Sequence, residues 1–219
     1  MADVQTSGAA DADASRDQPA GKRSLLLRFK RRTVVTVAAV AVVLLGGALA
    51  ASLLTSGSST AGDRVVNGNT IEYTAGHRPL APDFTATSLT GTTIKMSSYR
   101  GKVLVLNFWG SWCAPCRAEA ETLEVAYQHF QAQGVDFLGD DVADTPANAL
   151  GFIRSESISY PSINDPGYFV VQQFSQAAPV SDTPTTVVVD KTGHVVGMAV
   201  GTISNGELTM LLQQAGVTT

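Results

Sequence analysis

The segment VLVLNFWGSWCAPCRAE, residues 103–119, decides how the rest of the chain is read. Val103 to Trp109 form a near-continuous apolar run, as expected of a strand buried on both faces. Residues 114–133 then read as a helix. Leu123, Tyr127 and Phe130 fall at i, i+4 and i+7 on one apolar stripe, and Gly134 supplies the stop. The only two cysteines of the chain, Cys113 and Cys116, sit at the junction of strand and helix. The unpaired N–H groups and dipole of a helix N-terminus stabilise an anion there. A thiolate at that point is expected to have a depressed pKa, and the thiolate is the nucleophile. Two intervening residues let both sulfurs meet on the first helical turn. Cys113 is then the attacking thiol, at the exposed end of the turn. Cys116, one turn in, is the resolving thiol that attacks a mixed disulfide from behind.

Outward from this segment, residues 84–88 and 93–96 flank Leu89-Thr90-Gly91-Thr92 as a hairpin. Residues 135–138 predict a second central strand. Thr145-Pro146 opens a helix to about Arg154, and residues 166–174 predict a short one. TTVVVD (185–190) and residues 194–200 are strands around a Lys191-Thr192-Gly193 turn. Ser204 or Asn205 caps a last helix to about Gln214. Strand–helix–strand units followed by a hairpin and a helix predict an α/β fold with helices on both faces of one sheet.

The N-terminal quarter has a different character. Residues 1–21 are nearly free of large apolar side chains and are expected to be disordered. A basic run follows: Lys22, Arg23, Arg28, Lys30, Arg31 and Arg32. Residues 34–54 then carry no charge, and as a helix would rise about 31 Å, close to the roughly 30 Å hydrocarbon thickness. The positive-inside rule places the basic flank in the cytoplasm and the rest outside. The expected organisation is a cytoplasmic segment 1–33, a transmembrane anchor 34–54 in the lipid bilayer, a linker 55–74 and a folded domain 75–219. A cleaved signal peptide is the rival, since Ala48-Leu49-Ala50 resembles a small-residue cleavage site. The long leader and long apolar run favour retention. The expected location is therefore the cell membrane, single-pass, with the C-terminal domain extracytoplasmic. Residues 1–55 carry seven Lys/Arg and four Asp, a net +3; residues 56–219 carry the remaining eight Lys/Arg and fifteen Asp/Glu, a net −7. An acidic outer domain argues against nucleic acid as a partner.

A cysteine pair three positions apart admits other uses. Cys113, Cys116 and His129 open a zinc-finger-like spacing, but no fourth ligand follows His129. A purely structural bridge across so small a loop would stabilise little. A copper-handling module would need a nearby histidine, for which His194 is the spare candidate. No resident metal or cofactor is expected. A peroxidase reading lacks a Thr-x-x-Cys signature.

Residues 107–119, NFWGSWCAPCRAE, resemble the active-site segment of the TlpA/ResA-type thiol–disulfide oxidoreductases. The likeness extends to Ala81-Pro82-Asp83-Phe84, Gly101-Lys102, Thr183-Pro184-Thr185-Thr186 and Asp190-Lys191-Thr192-Gly193, over roughly residues 75–216. It implies a thioredoxin fold with an N-terminal β-hairpin and a central insertion, here about residues 144–161. It implies that Pro184, after Thr183, is the cis-proline facing the cysteines, leaving room for a substrate strand. Glu119, three residues after Cys116, is by the same resemblance the proton acceptor for the buried thiol; thioredoxins proper place an Asp where this chain has Asn107. Trp112 and Pro115 are expected to line the substrate groove. Trp109 reads equally as core.

Ala114-Pro115 between the cysteines supplies no charge to stabilise a thiolate, which argues for a reductant, nearer thioredoxin at about −270 mV than DsbA at about −120 mV. Such a reductant needs a transmembrane electron donor. The expected substrate is a protein disulfide, and the resemblance makes apocytochrome c, in cytochrome c maturation, the first candidate. A disulfide oxidase or isomerase of the same fold is the alternative, with the copper module as the alternative of another class.

Overall fold

The computed structural model describes residues 63–66 and 68–218. A seven-stranded mixed sheet forms the centre. Its strands are β1 (Asp63–Val66), β2 (Thr70–Tyr73), β5 (Val103–Trp109), β6 (Val135–Val142), β7 (Ser162–Asp165), β8 (Thr185–Val189) and β9 (Val195–Val200), in the order β1-β2-β9-β8-β5-β6-β7. Strands β5, β6 and β7 run parallel; β8, β9, β2 and β1 continue antiparallel. A separate hairpin pairs β3 (Thr85–Thr87) with β4 (Thr93–Lys95), followed by a 3₁₀ turn over Met96–Tyr99. Four α-helices complete the domain: α1 (Ala114–Phe130), α2 (Pro146–Ser155), α3 (Phe169–Phe174) and α4 (Asn205–Gln214).

Every residue of β5 is buried, because both faces of the sheet are covered. One core joins Val105, Trp109, Phe137 and Val188 to Leu123 and Phe130 of α1, Phe152 of α2 and Leu208, Leu211 and Leu212 of α4. The other joins Leu104, Leu106, Phe108 and Val187 to Val170 and Phe174 of α3, with Phe84, Ile94 and Met96 from the hairpin region. Each helix start carries a local signal. Pro115 occupies the first turn of α1, and Thr145 caps α2 from its hydroxyl. Ser204 and Glu207 form a reciprocal capping box on α4.

The thioredoxin-like α/β fold matches the expectation, but several boundaries differ. Strands β1 and β2 lie inside the residues read as linker, 55–74. They form a hairpin that extends the sheet through β2 against β9, with Ile71 opposite Met198 and Glu72 opposite Gly197. Gly197 is what permits this: a Cβ there would collide with the backbone oxygen of Ile71. Strand β6 runs four residues past Leu138, through Gly139-Asp140-Asp141-Val142. The central insertion is followed by β7, a strand the sequence reading left out. The proposed anchor, residues 34–54, lies outside the described residues, as does the segment 1–33 expected to be cytoplasmic. No helix among the described residues is long and apolar enough to cross a membrane.

Candidate active site

Strand β5 and helix α1 fix the cysteines. The chain leaves Trp109, turns through Gly110-Ser111-Trp112, and enters α1 with Cys113 as its N-cap. Cys113 and Cys116 are joined as a disulfide, with Cα atoms 5.3 Å apart. The N–H of Cys116 points at Cys113 Sγ, 3.1 Å away. That is an orphan donor of the first helical turn aimed at the sulfur that must carry charge, so it favours a thiolate at Cys113. Cys113 is more recessed than its place at the loop end suggests. It is only 4% exposed, against 56% for Trp112. Trp112, Ala114 and Pro115 are exposed around it.

The Thr183–Pro184 peptide is cis. It brings the Thr183 carbonyl oxygen to 3.6 Å from Cys113 Sγ. Pro184 is buried and its own carbonyl accepts the Gly201 N–H at 2.8 Å, so the turn is pinned to the end of β9. Cys113, Thr183 and Pro184 are thus brought together, with Trp112 and Pro115 exposed beside them.

Glu119 lies one helical turn beyond Cys116 and is 3% exposed. Its carboxylate accepts Asn107 Nδ2 at 2.9 Å and Ile203 N–H at 3.0 Å. Burial pushes its pKa from 4.5 up to about 7, the two hydrogen bonds offsetting only part of the desolvation. Asn107 also donates to Thr186 Oγ1 at 3.1 Å, so a polar thread runs from β8 through β5 to the helix carrying the cysteines. Sequence reasoning noted Asn107 only as a missing acid; its amide is a donor that holds Glu119.

Trp109 is core. It is 2% exposed and stacks on Phe152 at 4.8 Å, while the Arg117 guanidinium covers the other ring at 4.7 Å and pairs with Glu156. Behind the cysteine loop lies a group that the sequence reading missed altogether. Asp140, Asp141 and Asp165 are buried near the carboxyl ends of β6 and β7, with Asp144 just beyond. Asp144 accepts the Ser111 N–H at 2.8 Å. Burial, reinforced by neighbouring carboxylates, raises Asp141 to about 8 and Asp140 well above the usual carboxylate range.

The two histidines weighed as metal ligands are elsewhere. His129 is on the last turn of α1, edge-on to Phe130. His194 follows the β8–β9 turn, its Nδ1 on Thr192 Oγ1 at 2.8 Å, at the opposite end of β8 from Pro184. Among the described residues no group of three or more His, Cys, Asp or Glu side chains is arranged to hold a metal ion.

A disulfide capping the helix that follows the central strand, opposite a cis-proline turn, defines a thiol–disulfide oxidoreductase of thioredoxin fold. Comparison with known proteins agrees. The chain belongs to the AhpC/TSA family, whose model matches residues 78–198. It is 33% identical over 124 residues to the thiol–disulfide oxidoreductase ResA of Bacillus subtilis, covering 57% of this chain and 67% of that protein. It is 32% identical to ResA of Geobacillus thermodenitrificans, covering 61% and 74%. Among solved structures it resembles a secreted thiol–disulfide isomerase from Corynebacterium glutamicum, with TM-score 0.64, 30% identity and coverage of 71% and 97%. A DsbF homologue from Corynebacterium diphtheriae gives TM-score 0.62, 28% identity and coverage of 69% and 97%. The chain is therefore an oxidoreductase of the ResA/DsbE type.

Proposed function

We propose that this oxidoreductase is a membrane-tethered reductant of protein disulfides that works outside the cytoplasm. Cys113 in its thiolate form attacks a substrate disulfide, forming a mixed disulfide and releasing one substrate thiolate. The Cys116 thiol gives its proton to the Glu119 carboxylate and attacks Cys113 Sγ. The second substrate thiolate leaves, two electrons have passed to the substrate, and the Cys113–Cys116 disulfide remains for a transmembrane donor to reduce. One observation carries the direction: the segment between the cysteines, Ala114-Pro115, holds no charge to stabilise the reduced pair. The extracytoplasmic setting is supported by the uncharged run 34–54 behind six basic residues, and by relatives described as secreted.

The substrate class is supported by the rim. Exposed Trp112 and Pro115 and the Thr183–Pro184 turn surround a recessed sulfur and offer an extended peptide both an apolar contact and backbone to pair with. Within that class, apocytochrome c is the first candidate on the resemblance to TlpA/ResA-type proteins alone; haem attaches only to free thiols, so an oxidising exterior would need a local reductant. The decisive measurement is equilibration of Cys113–Cys116 with thiol buffers. A potential near about −270 mV supports the reductant, and one above about −150 mV replaces it with an oxidase or isomerase. Cys116→Ser, which leaves mixed disulfides unresolved, then identifies the partners covalently held on Cys113.

A further inference from the structure

The loop that presents Cys113 is not held by helix α1 alone. Ser111 N–H donates to Asp144 Oδ2 at 2.8 Å, and Trp112 Nε1 donates to the Val142 carbonyl at 3.2 Å. The acceptors are the last residue of β6 and a residue of the short connection from there to α2. That connection doubles back at Ala143, whose φ of 52° is a left-handed conformation that alanine seldom adopts. Asp144 is held in turn by the Thr145 N–H at 2.7 Å and the side chain of Asn148, so the loop is tied to the first turn of α2.

Beneath Asp144 is Asp141, fully buried. Neither of its oxygens receives a hydrogen bond from a nitrogen or hydroxyl donor among the described residues. The side chains around it are known from each element packed against it. Strand β5 presents Trp109 and β7 presents Asn164, both in register with Asp141, while Asp165, the next residue of β7, accepts the Phe169 and Val170 N–H groups at the start of α3. The connection presents Asp144, and Asp140 is its neighbour on β6. The nearby cation of α1, Arg117, lies on Phe152 and pairs with Glu156. An ionised Asp141 would be a buried charge near other carboxylates, with no cation beside it among the described residues.

We propose that Asp144 is the positioning residue for the Gly110–Cys113 loop, and that Asp141, as a neutral acid, donates its proton in a hydrogen bond that keeps Asp144 in place. The pair acts on the exchange reaction itself, whichever way electrons flow. Asp144 is held below the usual carboxylate range by its hydrogen bonds, which outweigh its desolvation, and remains the acceptor. Asp141, raised to about 8 by burial and then by Asp144, is neutral at pH 7 and ionises just above it. Ionisation removes the bond to Asp144, sets two carboxylates against each other, and frees Ser111 and Trp112.

Acrylamide quenching of tryptophan fluorescence tests this, because it reads exposed Trp112 and not buried Trp109. It is followed from pH 6 to 9.5 on the oxidised protein, beside the rate at which the reduced protein reduces a small aromatic disulfide. In the wild type, quenching should rise through one transition near pH 8. Asp141→Asn, neutral at every pH and still a donor to Asp144, should abolish that transition. Asp144→Ala should show high quenching already at pH 7 and an exchange rate lower by on the order of tenfold, as loss of a charge-assisted hydrogen bond implies. Asp144→Asn, which keeps an acceptor for Ser111, should recover most of the rate. A transition that persists unchanged in Asp141→Asn overturns the role of Asp141. Unchanged quenching and rate in Asp144→Ala overturn that of Asp144. Should the alanine variant not fold, the isosteric Asp141→Asn comparison decides alone.

Discussion

Replacing Glu119 by Gln should change how the stability of the oxidised protein depends on pH. The folded protein holds the Glu119 proton more tightly than the unfolded chain, with the pKa raised from 4.5 to about 7. This is the reverse of a salt-bridged carboxylate. The stability associated with the neutral acid is fully present below pH 4.5 and is lost as pH rises towards and through 7. At 1.36 kcal/mol per pH unit, the rise from 4.5 to about 7 amounts to about 3 kcal/mol in all. By the linkage integral, most of this falls between pH 5 and pH 8. Glutamine has nearly the same shape and is neutral at every pH. Its oxygen accepts Ile203 N–H, Asn107 turns its amide to present oxygen to the new N–H, and the Thr186 hydroxyl reverses to donate. The assay is urea denaturation of the disulfide form at half-unit steps from pH 5 to 8, wild type and variant side by side. Subtracting the two curves removes every other titrating group. The difference should grow by about 2 to 3 kcal/mol towards pH 8, in favour of the variant. A difference curve flat to within about 0.5 kcal/mol would refute the assignment of a shifted, buried carboxyl to Glu119.

Other residues give independent checks. Phe152→Ala removes the ring between Trp109 and Arg117 and should cost about 3–5 kcal/mol of stability in the same denaturation assay. Ser204→Ala breaks the capping box with Glu207 and should cost about 1 kcal/mol, with faster amide exchange confined to the first turn of α4. Trp112→Ala should leave stability within about 1 kcal/mol, since the side chain is 56% exposed, yet raise the KM for a peptide disulfide severalfold more than that for a small-molecule disulfide.

The features legible in the sequence are those whose cause is local. Strand β5 announces itself by an apolar run long enough for burial on both sides, and α1 by its stripe and its glycine stop. The start of α4 was legible as a capping residue, Ser204 or Asn205; the structure selects Ser204 and adds Glu207. What escaped is non-local. Strand β7 is four residues, Ser162-Ile163-Asn164-Asp165, with no periodicity of its own; it is a strand because β6 offers it a partner. Residues 63–73 read as linker because polar residues and a glycine interrupt two short apolar pairs. Yet the open edge of β9 converts the second pair, Ile71 and Tyr73, into an added strand.

The site divides along the same line. The cysteine pair and its helix terminus are consecutive residues, and the cis-proline turn was reached by resemblance. The acids were not. Gly139-Asp140-Asp141 is turn-like in composition and lay beyond the strand expected over 135–138, whereas its position between β5 and β7 buries both carboxyls. The physical state of such a carboxyl is set by what three separate segments place around it, and no local pattern encodes that.

Two buried carboxyls therefore flank the redox loop for different reasons. Glu119 touches the thiol side through α1 and Asn107, and Asp141 touches the loop side through Asp144 and Ser111. They share no hydrogen-bond partner, so their effects should add. The pH profile of exchange, corrected for ionisation of the small disulfide's own thiol, should show two inflections, one near 7 and one near 8. Glu119→Gln should remove the first and Asp141→Asn the second, and the double variant should follow only the ionisation of Cys113. If either single change removes both inflections, the carboxyls titrate as one coupled system, and the division of labour between proton acceptor and loop anchor is wrong.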